Sequence, residues 1–246
     1  MTDFPFDAVL FDCDGVLVDS ELITNRVLAQ MLNELGWPIS VEETGRLFTG
    51  KTVKDEAAQI EARTGAGISA DWLADFRARR NAALDRELVD VDGAPAAVRA
   101  LHARLGGRIA VASGADRRKI ELQLEKVGLI ECFDGRIFSG HEMPRSKPHP
   151  DVYLAAAAAL GVDPRRCAVV EDSVTGAMAG VAAGAAVFGY TPGESGYGGH
   201  GGPDALRAAG VVEVFEDMGR LPALLESWPA RRHAAGQPSL PASIQD

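Results

Sequence analysis

Residues 7–20 read DAVLFDCDGVLVDS, and this stretch decides the fold. Its apolar residues predict a buried β-strand over 7–13 that carries Asp12 and Asp14 at its carboxyl end. Because side chains alternate along a strand, the spacing of two predicts that both carboxylates point to the same side. Two carboxylates this close repel each other unless a cation or a proton lies between them. The stretch therefore predicts a divalent-metal site with one nucleophilic carboxylate, and an acidic turn is the alternative.

The bulk composition is that of an ordinary globular protein. The chain has 246 residues, of which 46% are hydrophobic and 24% charged, and its formal net charge is −10. This charge argues against nucleic acid or an anionic membrane surface as a partner. Neither a spanning apolar run nor a secretory signal is evident, and the three cysteines predict reduced thiols, so we expect a cytoplasmic protein. With no obvious assembly segment, a monomer is the default expectation.

Helical patterns dominate the region directly after the first strand. Apolar residues recur at helical spacing over four segments, with no strand pattern among them: 22–35, 41–47, 53–64 and 69–88. We therefore predict an all-helical cap domain inserted after the first strand, over residues 19–89, which we call the cap segment.

The rest of the chain alternates short apolar strands with helices. This alternation predicts an α/β fold, a Rossmann-like parallel sheet with helices on both faces. We assign this catalytic core to residues 1–18 and 90–228. Residues 229–246 are rich in Ala, Pro, Ser and Gln and predict a disordered tail.

Three further polar groups follow predicted strands or loops of this core. Ser113-Gly114 precede a helix and predict an anion cradle, although an ordinary helix start has the same pattern. Lys147 lies in a loop stiffened by prolines, and a solvated charge is the alternative. Glu171 and Asp172 add two carboxylates, and Asp172 could instead cap a helix. Since ligands bind beyond the carboxyl ends of parallel strands, we expect these groups to meet the first acidic pair.

The predicted donor set suits a hard cation. Its ligands are carboxylate oxygens, which favour Mg²⁺ over zinc, and the five histidines show no metal-ligand spacing. Cys13 lies between the two aspartates, but strand alternation predicts that it points away from them.

The motifs together identify a family resemblance that spans about residues 6–225. The sequence resembles the haloacid dehalogenase superfamily, in the branch with a helical cap after the first strand. Within it, the chain is similar to β-phosphoglucomutases and to sugar-phosphate phosphatases, such as bacterial 6-phosphogluconate phosphatases. The motifs, in chain order, are Phe-Asp12-Cys-Asp14-Gly-Val-Leu-Val-Asp-Ser, Ala-Ser113-Gly, Lys147-Pro-His-Pro-Asp and Glu171-Asp172-Ser-Val-Thr-Gly-Ala.

The resemblance implies a role for each motif residue. Asp12 would attack phosphorus and become an aspartyl-phosphate, while Asp14 would protonate the leaving alcohol and later activate water. The remaining phosphoryl oxygens would be bound by Ser113, the Gly114 amide and Lys147, which would also pair with Asp12. Mg²⁺ would be held by Asp12, the Asp14 backbone carbonyl, and Glu171 or Asp172 or both.

Several activities of this superfamily compete. A dehalogenase would have no use for Asp14, and a phosphonatase would need a buried cap lysine. A phosphomutase would carry a histidine where this chain has Thr24 and an arginine where it has Val53. These departures favour hydrolysis of a small-molecule phosphate ester, a sugar or sugar-acid phosphate, with a sugar phosphomutase as the alternative. The possible substrate contacts from the cap are Gly50, Lys51, Lys54 and Arg80.

Overall fold

A computed structural model describes residues 4–48, 52–192 and 202–228. Its main sheet has six strands, all parallel, with the strand from the opening stretch at its centre. A separate antiparallel pair, β2 and β3, joins the core to the cap segment. The strands are β1 (Ala8–Phe11), β2 (Val18–Asp19), β3 (Val89–Asp90), β4 (Ile109–Ser113), β5 (Ile137–Ser139), β6 (Cys167–Glu171), β7 (Ala186–Tyr190) and β8 (Glu213–Phe215).

Strand order explains why distant motifs meet. The order in the main sheet is β5-β4-β1-β6-β7-β8, so β1 pairs with β4 on one side and with β6 on the other. Phe11, the last residue of β1, lies opposite Val111 and Val170. Directly after it, the backbone N–H of Asp12 donates to the Val170 carbonyl at 3.0 Å. The carboxyl ends of all three strands therefore open onto one edge of the sheet.

Helices cover both faces of this sheet, which confirms the predicted α/β class. Alternate residues of β1 belong to opposite core clusters, with Val9 and Phe11 in one and Ala8 and Leu10 in the other. All four are buried, as expected of a central strand in a doubly covered sheet. The core helices are α5 (Ala94–Arg104), α6 (Arg117–Lys126), α7 (Asp151–Ala159), α8 (Val174–Ala182), α9 (Gly202–Ala208) and α10 (Leu221–Glu226).

Four helices fill the described part of the cap segment. They pack through their apolar sides, with α1 lying against α2 and α4. Their bounds are α1 (Glu21–Glu34), α2 (Val41–Phe48), α3 (Ala57–Thr64) and α4 (Ala70–Glu87). The division of the chain into two domains stays a prediction, and the predicted tail, 229–246, lies outside the described residues.

A few elements differ from the sequence-based expectation. β1 ends at Phe11, two residues earlier than predicted, because the chain leaves the strand conformation at Asp12. The short β2–β3 pair and α10 carry too few residues to produce a periodic signal. Among the helices that the structure describes, none is long and apolar enough to cross a membrane.

Candidate active site

Three buried carboxylates meet where β1 and β6 end. Asp12 follows β1, while Glu171 closes β6 and Asp172 comes next. One oxygen from each lies within 4.8 Å of the others. These residues are only 6%, 0% and 4% exposed. The alternative role for Asp172, a helix cap, is wrong, since Ser173 caps α8 by accepting from the Gly176 N–H.

Lys147 brings one positive charge into this cluster. Its Nζ donates to Asp12 Oδ1 and to Glu171 Oε1, each at 2.6 Å, and lies 4.9 Å from the centre of the Tyr153 ring. Tyr153 also donates its hydroxyl to Glu171 Oε1 at 2.7 Å. Burial alone would favour the neutral amine, but the charges of Asp12 and Glu171 keep the pKa of Lys147 well above its ordinary value. The solvated-lysine alternative is therefore wrong.

The charge balance of the cluster fits a divalent cation. If all three carboxylates were ionised beside the one ammonium, two negative charges would stay uncompensated in a buried space. Burial, together with the charges of Glu171 and Asp14, raises the pKa of Asp12 to about 7 despite the attraction of Lys147. Burial and the charge of Glu171 likewise raise the pKa of Asp172 well above its ordinary value. A bound dication would remove this repulsion, and the oxygen donors are those that Mg²⁺ prefers.

Asp14 stands apart from the carboxylate cluster. Its Oδ1 accepts hydrogen bonds from Lys119 Nζ and Gln123 Nε2, both at 2.7 Å, and from the Ser20 hydroxyl. Burial opposes ionisation, but the Lys119 charge and these hydrogen bonds outweigh it and lower the pKa of Asp14 to about 2. Asp12 and Asp14 both line the same cavity, as expected. Their shared direction does not come from the alternation of side chains along a strand, because Asp12 and Asp14 both follow the end of β1.

The predicted phosphate cradle opens into the same cavity. Ser113 is the last residue of β4, and both it and Gly114 line the cavity beside the two aspartates. The Ser113 hydroxyl accepts from the Ala115 N–H at 3.2 Å. Three residues after Ser113, Asp116 caps α6 by accepting from the Lys119 N–H.

The cavity extends from this floor to the cap segment and has a volume of about 640 Å³. Arg80 of α4 and Lys54 both line it, and their predicted contact with a substrate stays a prediction. Lys54 is exposed, whereas Arg80 is buried and donates from Nη2 to Asp116 Oδ2 of the core at 2.9 Å. The other two predicted contacts, Gly50 and Lys51, lie outside the described residues.

Sequence reasoning missed the residues around Asp14. Lys119 and Gln123 are one turn apart on α6 and lie on the same buried side as Ile120 and Leu124. Two polar residues on an apolar helical stripe are the signal that could have found them.

Cys13 is fully buried and donates its thiol to Gln123 Oε1 at 3.3 Å. Burial and the neighbouring carboxylates raise the pKa of this thiol, which argues against a nucleophilic role.

Gly176 of α8 yields a first testable prediction. A Cβ here would lie 1.7 Å from Glu171 Oε1, inside the carboxylate cluster. Glycine to alanine in a helix interior ordinarily stabilises a protein by up to about 1 kcal/mol. Here we expect the reverse, a loss of about 1–3 kcal/mol through overpacking, with a lower melting temperature by circular dichroism.

The matched control is Gly67→Ala. A Cβ at Gly67 would meet its nearest atom, a side-chain oxygen of Glu61, at 3.9 Å, which is ordinary contact. This variant should melt like the wild type. A Gly176→Ala protein as stable as the wild type would show that α8 does not press on Glu171.

Comparisons with known proteins agree with this geometry. The haloacid dehalogenase-like hydrolase family model matches residues 6–184, which is more than half of the chain. The 6-phosphogluconate phosphatase of Escherichia coli K12 is 33% identical over 185 residues, covering 74% of this chain and 81% of the relative. Hexitol phosphatase B of the same strain is 34% identical over 178 residues, covering 72% and 79% respectively.

A solved structure resembles the whole architecture. A HAD family hydrolase from Deinococcus radiodurans R1, with bound phosphate and sodium, is 36% identical and superposes with a TM-score of 0.72. The match covers 97% of this chain and 100% of that one. The sequence motifs, the parallel sheet and these relatives agree. The chain belongs to the haloacid dehalogenase-like hydrolase family, as one of its phosphoric monoester hydrolases.

Proposed function

We propose that the protein is a Mg²⁺-dependent phosphatase that hydrolyses a small sugar or sugar-acid phosphate through an aspartyl-phosphate intermediate. The observation that carries this proposal is the buried group of Asp12, Glu171, Asp172 and Lys147 at the floor of a cavity that also holds Asp14. A nucleophile, a cation site and a separate acid–base group are what such a reaction requires.

In the first step, Asp12 attacks phosphorus with a carboxylate oxygen, and the bond from phosphorus to the leaving alcohol breaks. Lys147 favours the ionised nucleophile because its ammonium donates to Asp12 Oδ1. The negative charge of a bound phosphate raises the pKa of Asp14 above its value in the empty site, so Asp14 can carry the proton that it gives to the leaving oxygen. It then takes a proton from the water that hydrolyses the aspartyl-phosphate, and this kind of help is worth about 10²–10⁴ in rate.

The phosphoryl oxygens are bound by Ser113, the Gly114 amide and Lys147. The residues that would hold Mg²⁺ are Asp12, Glu171 and Asp172 through carboxylates, and Asp14 through its backbone carbonyl. When bound, the ion neutralises phosphoryl charge and so permits one anion to approach another.

The substrate class is supported by relatives and by the cavity. Two relatives are named for 6-phosphogluconate and hexitol phosphates, which are polyhydroxylated. Arg80 and Lys54 line the cavity on its cap side and could contact the hydroxyl or carboxylate groups of such a substrate. Gly50 and Lys51 remain proposed contacts on the basis of the family resemblance.

The free thiols of the three cysteines agree with a cytoplasmic location.

The test is a panel of sugar phosphates, hexitol phosphates and sugar-acid phosphates incubated with the purified protein and Mg²⁺. We expect release of inorganic phosphate, with the best turnover on an open-chain or acidic sugar phosphate. Product analysis by NMR distinguishes hydrolysis from phosphate migration. Interconversion of sugar phosphate isomers without phosphate release would replace this proposal by the mutase, and no reaction with any member would refute both.

A further inference from the structure

We propose that Lys119 and Gln123 of α6 are positioning residues that set the orientation of the Asp14 carboxylate. This inference rests on the proposed function, because it assigns to Asp14 the acid–base role. Neither side chain belongs to the four motifs that carry the family resemblance.

The contacts converge on one atom. Lys119 Nζ and Gln123 Nε2 each donate to Asp14 Oδ1 at 2.7 Å, and the Ser20 hydroxyl donates to the same oxygen. Three donors on Oδ1 fix the plane of the carboxyl group, and the second oxygen, Oδ2, carries none of these bonds. Asp14 lines the cavity, so the orientation of Oδ2 decides whether this oxygen can reach a substrate.

The two donors are themselves held in place. Lys119 is 7% exposed and Gln123 is fully buried, so the packing around them restricts the conformations of both side chains. Cys13 donates its thiol to Gln123 Oε1, which turns the amide nitrogen towards Asp14. Asp116 caps the helix that carries them by accepting from the Lys119 N–H, and this stabilises the first helical turn, which includes Lys119.

The cost of burying its ammonium ties Lys119 to Asp14. Burying an ammonium is costly unless a charge or strong acceptor compensates it, and Asp14 is the carboxylate that Lys119 bonds to directly. Acid–base catalysis needs an oxygen within about 2.6–3.2 Å of the proton it transfers, and small displacements cost up to about 10²-fold. Loss of the Lys119 bond should therefore affect turnover rather than substrate binding.

The experiment measures kcat and KM of Lys119→Met and Gln123→Met on the best substrate of the panel. For Lys119→Met we expect kcat to fall about 10- to 100-fold, with KM changed by less than about twofold. Gln123→Met should show a smaller loss of kcat in the same direction. Lys119→Arg should recover part of the loss, because it keeps a cationic donor.

A double substitution separates positioning from direct action. In an Asp14→Asn background, Lys119→Met should cause no further loss of kcat, since its effect passes through Asp14. The matched control is Lys126→Met, an exposed lysine on the same helix, which should behave as the wild type. An unchanged kcat, a rise in KM alone, or the same loss in the Asp14→Asn background would overturn the inference.

A crystal structure of Lys119→Met supplies a readout that does not depend on turnover. We expect the Asp14 carboxyl group to leave the orientation described above. An unmoved Asp14 would overturn the inference even if the variant were slow. A wild type inactive on all phosphomonoesters would instead refute the proposed function, and the crystal structure would still decide whether Lys119 positions Asp14.

Discussion

Asp12→Asn is expected to lower kcat by at least about 10⁴-fold while leaving the protein folded. An amide cannot form the phosphoryl ester, so the proposed two-step route is closed. Asparagine has nearly the size of aspartate, and Lys147 keeps its bond to Glu171. Removing one of three like charges also reduces the repulsion within the cluster, so we expect no loss of thermal stability.

Two measurements check this prediction. Phosphate release is compared between wild type and variant, and acid-quenched reactions with ³²P-labelled substrate are tested for label bound to protein. Asp85→Asn is the matched control, because Asp85 is exposed on α4 and should retain full activity. Turnover by Asp12→Asn within tenfold of the wild type would exclude Asp12 as the nucleophile.

Removal of divalent cations should have the second largest effect. With all three carboxylates ionised, the cluster would carry two negative charges that Lys147 does not balance. A metal that neutralises them is worth several kcal/mol in the transition state, so chelation should lower phosphate release by at least about 10³-fold. Mg²⁺ should restore activity, whereas Na⁺ or K⁺ should not.

Metal binding also has a readout without substrate. The proposed Mg²⁺ site exists only in the folded protein, so added Mg²⁺ should raise the melting temperature of the chelated protein. Asp172→Asn should weaken this shift, while the Asp85→Asn control should show the wild-type response. Full activity in excess EDTA, or a melting temperature indifferent to Mg²⁺, would contradict a metal site here.

Much of the site was predictable because its residues end strands of one parallel sheet. Asp12 follows and Glu171 closes an apolar strand, whereas Lys147 comes from a proline-containing loop, and its predicted pairing with Asp12 is confirmed at 2.6 Å. Strand order could not be read from any single segment. It follows instead from β1 pairing with both β4 and β6, which are distant in sequence.

The surroundings of Asp14 were harder to predict, for a physical reason. Lys119 and Gln123 are typical of solvated helix positions, and only the packing of α6 on its Ile120 side buries them. Arg80 illustrates the same limit, because its bond to Asp116 depends on how α4 lies against the core. Such contacts are tertiary, and helical periodicity carries no information about the partner helix.

The distance along the chain between the reacting group and its counter-ion has a consequence for biosynthesis. Asp12 and Lys147 are 135 residues apart, and Glu171 follows another 24 residues later. A ribosome therefore makes Asp12, the proposed nucleophile, early and both Lys147 and Glu171 late, and closing so long a loop slows folding. Until β6 has joined the sheet, Asp12 lacks the buried neighbours that surround it in the folded protein, so the proposed site is completed only late in folding.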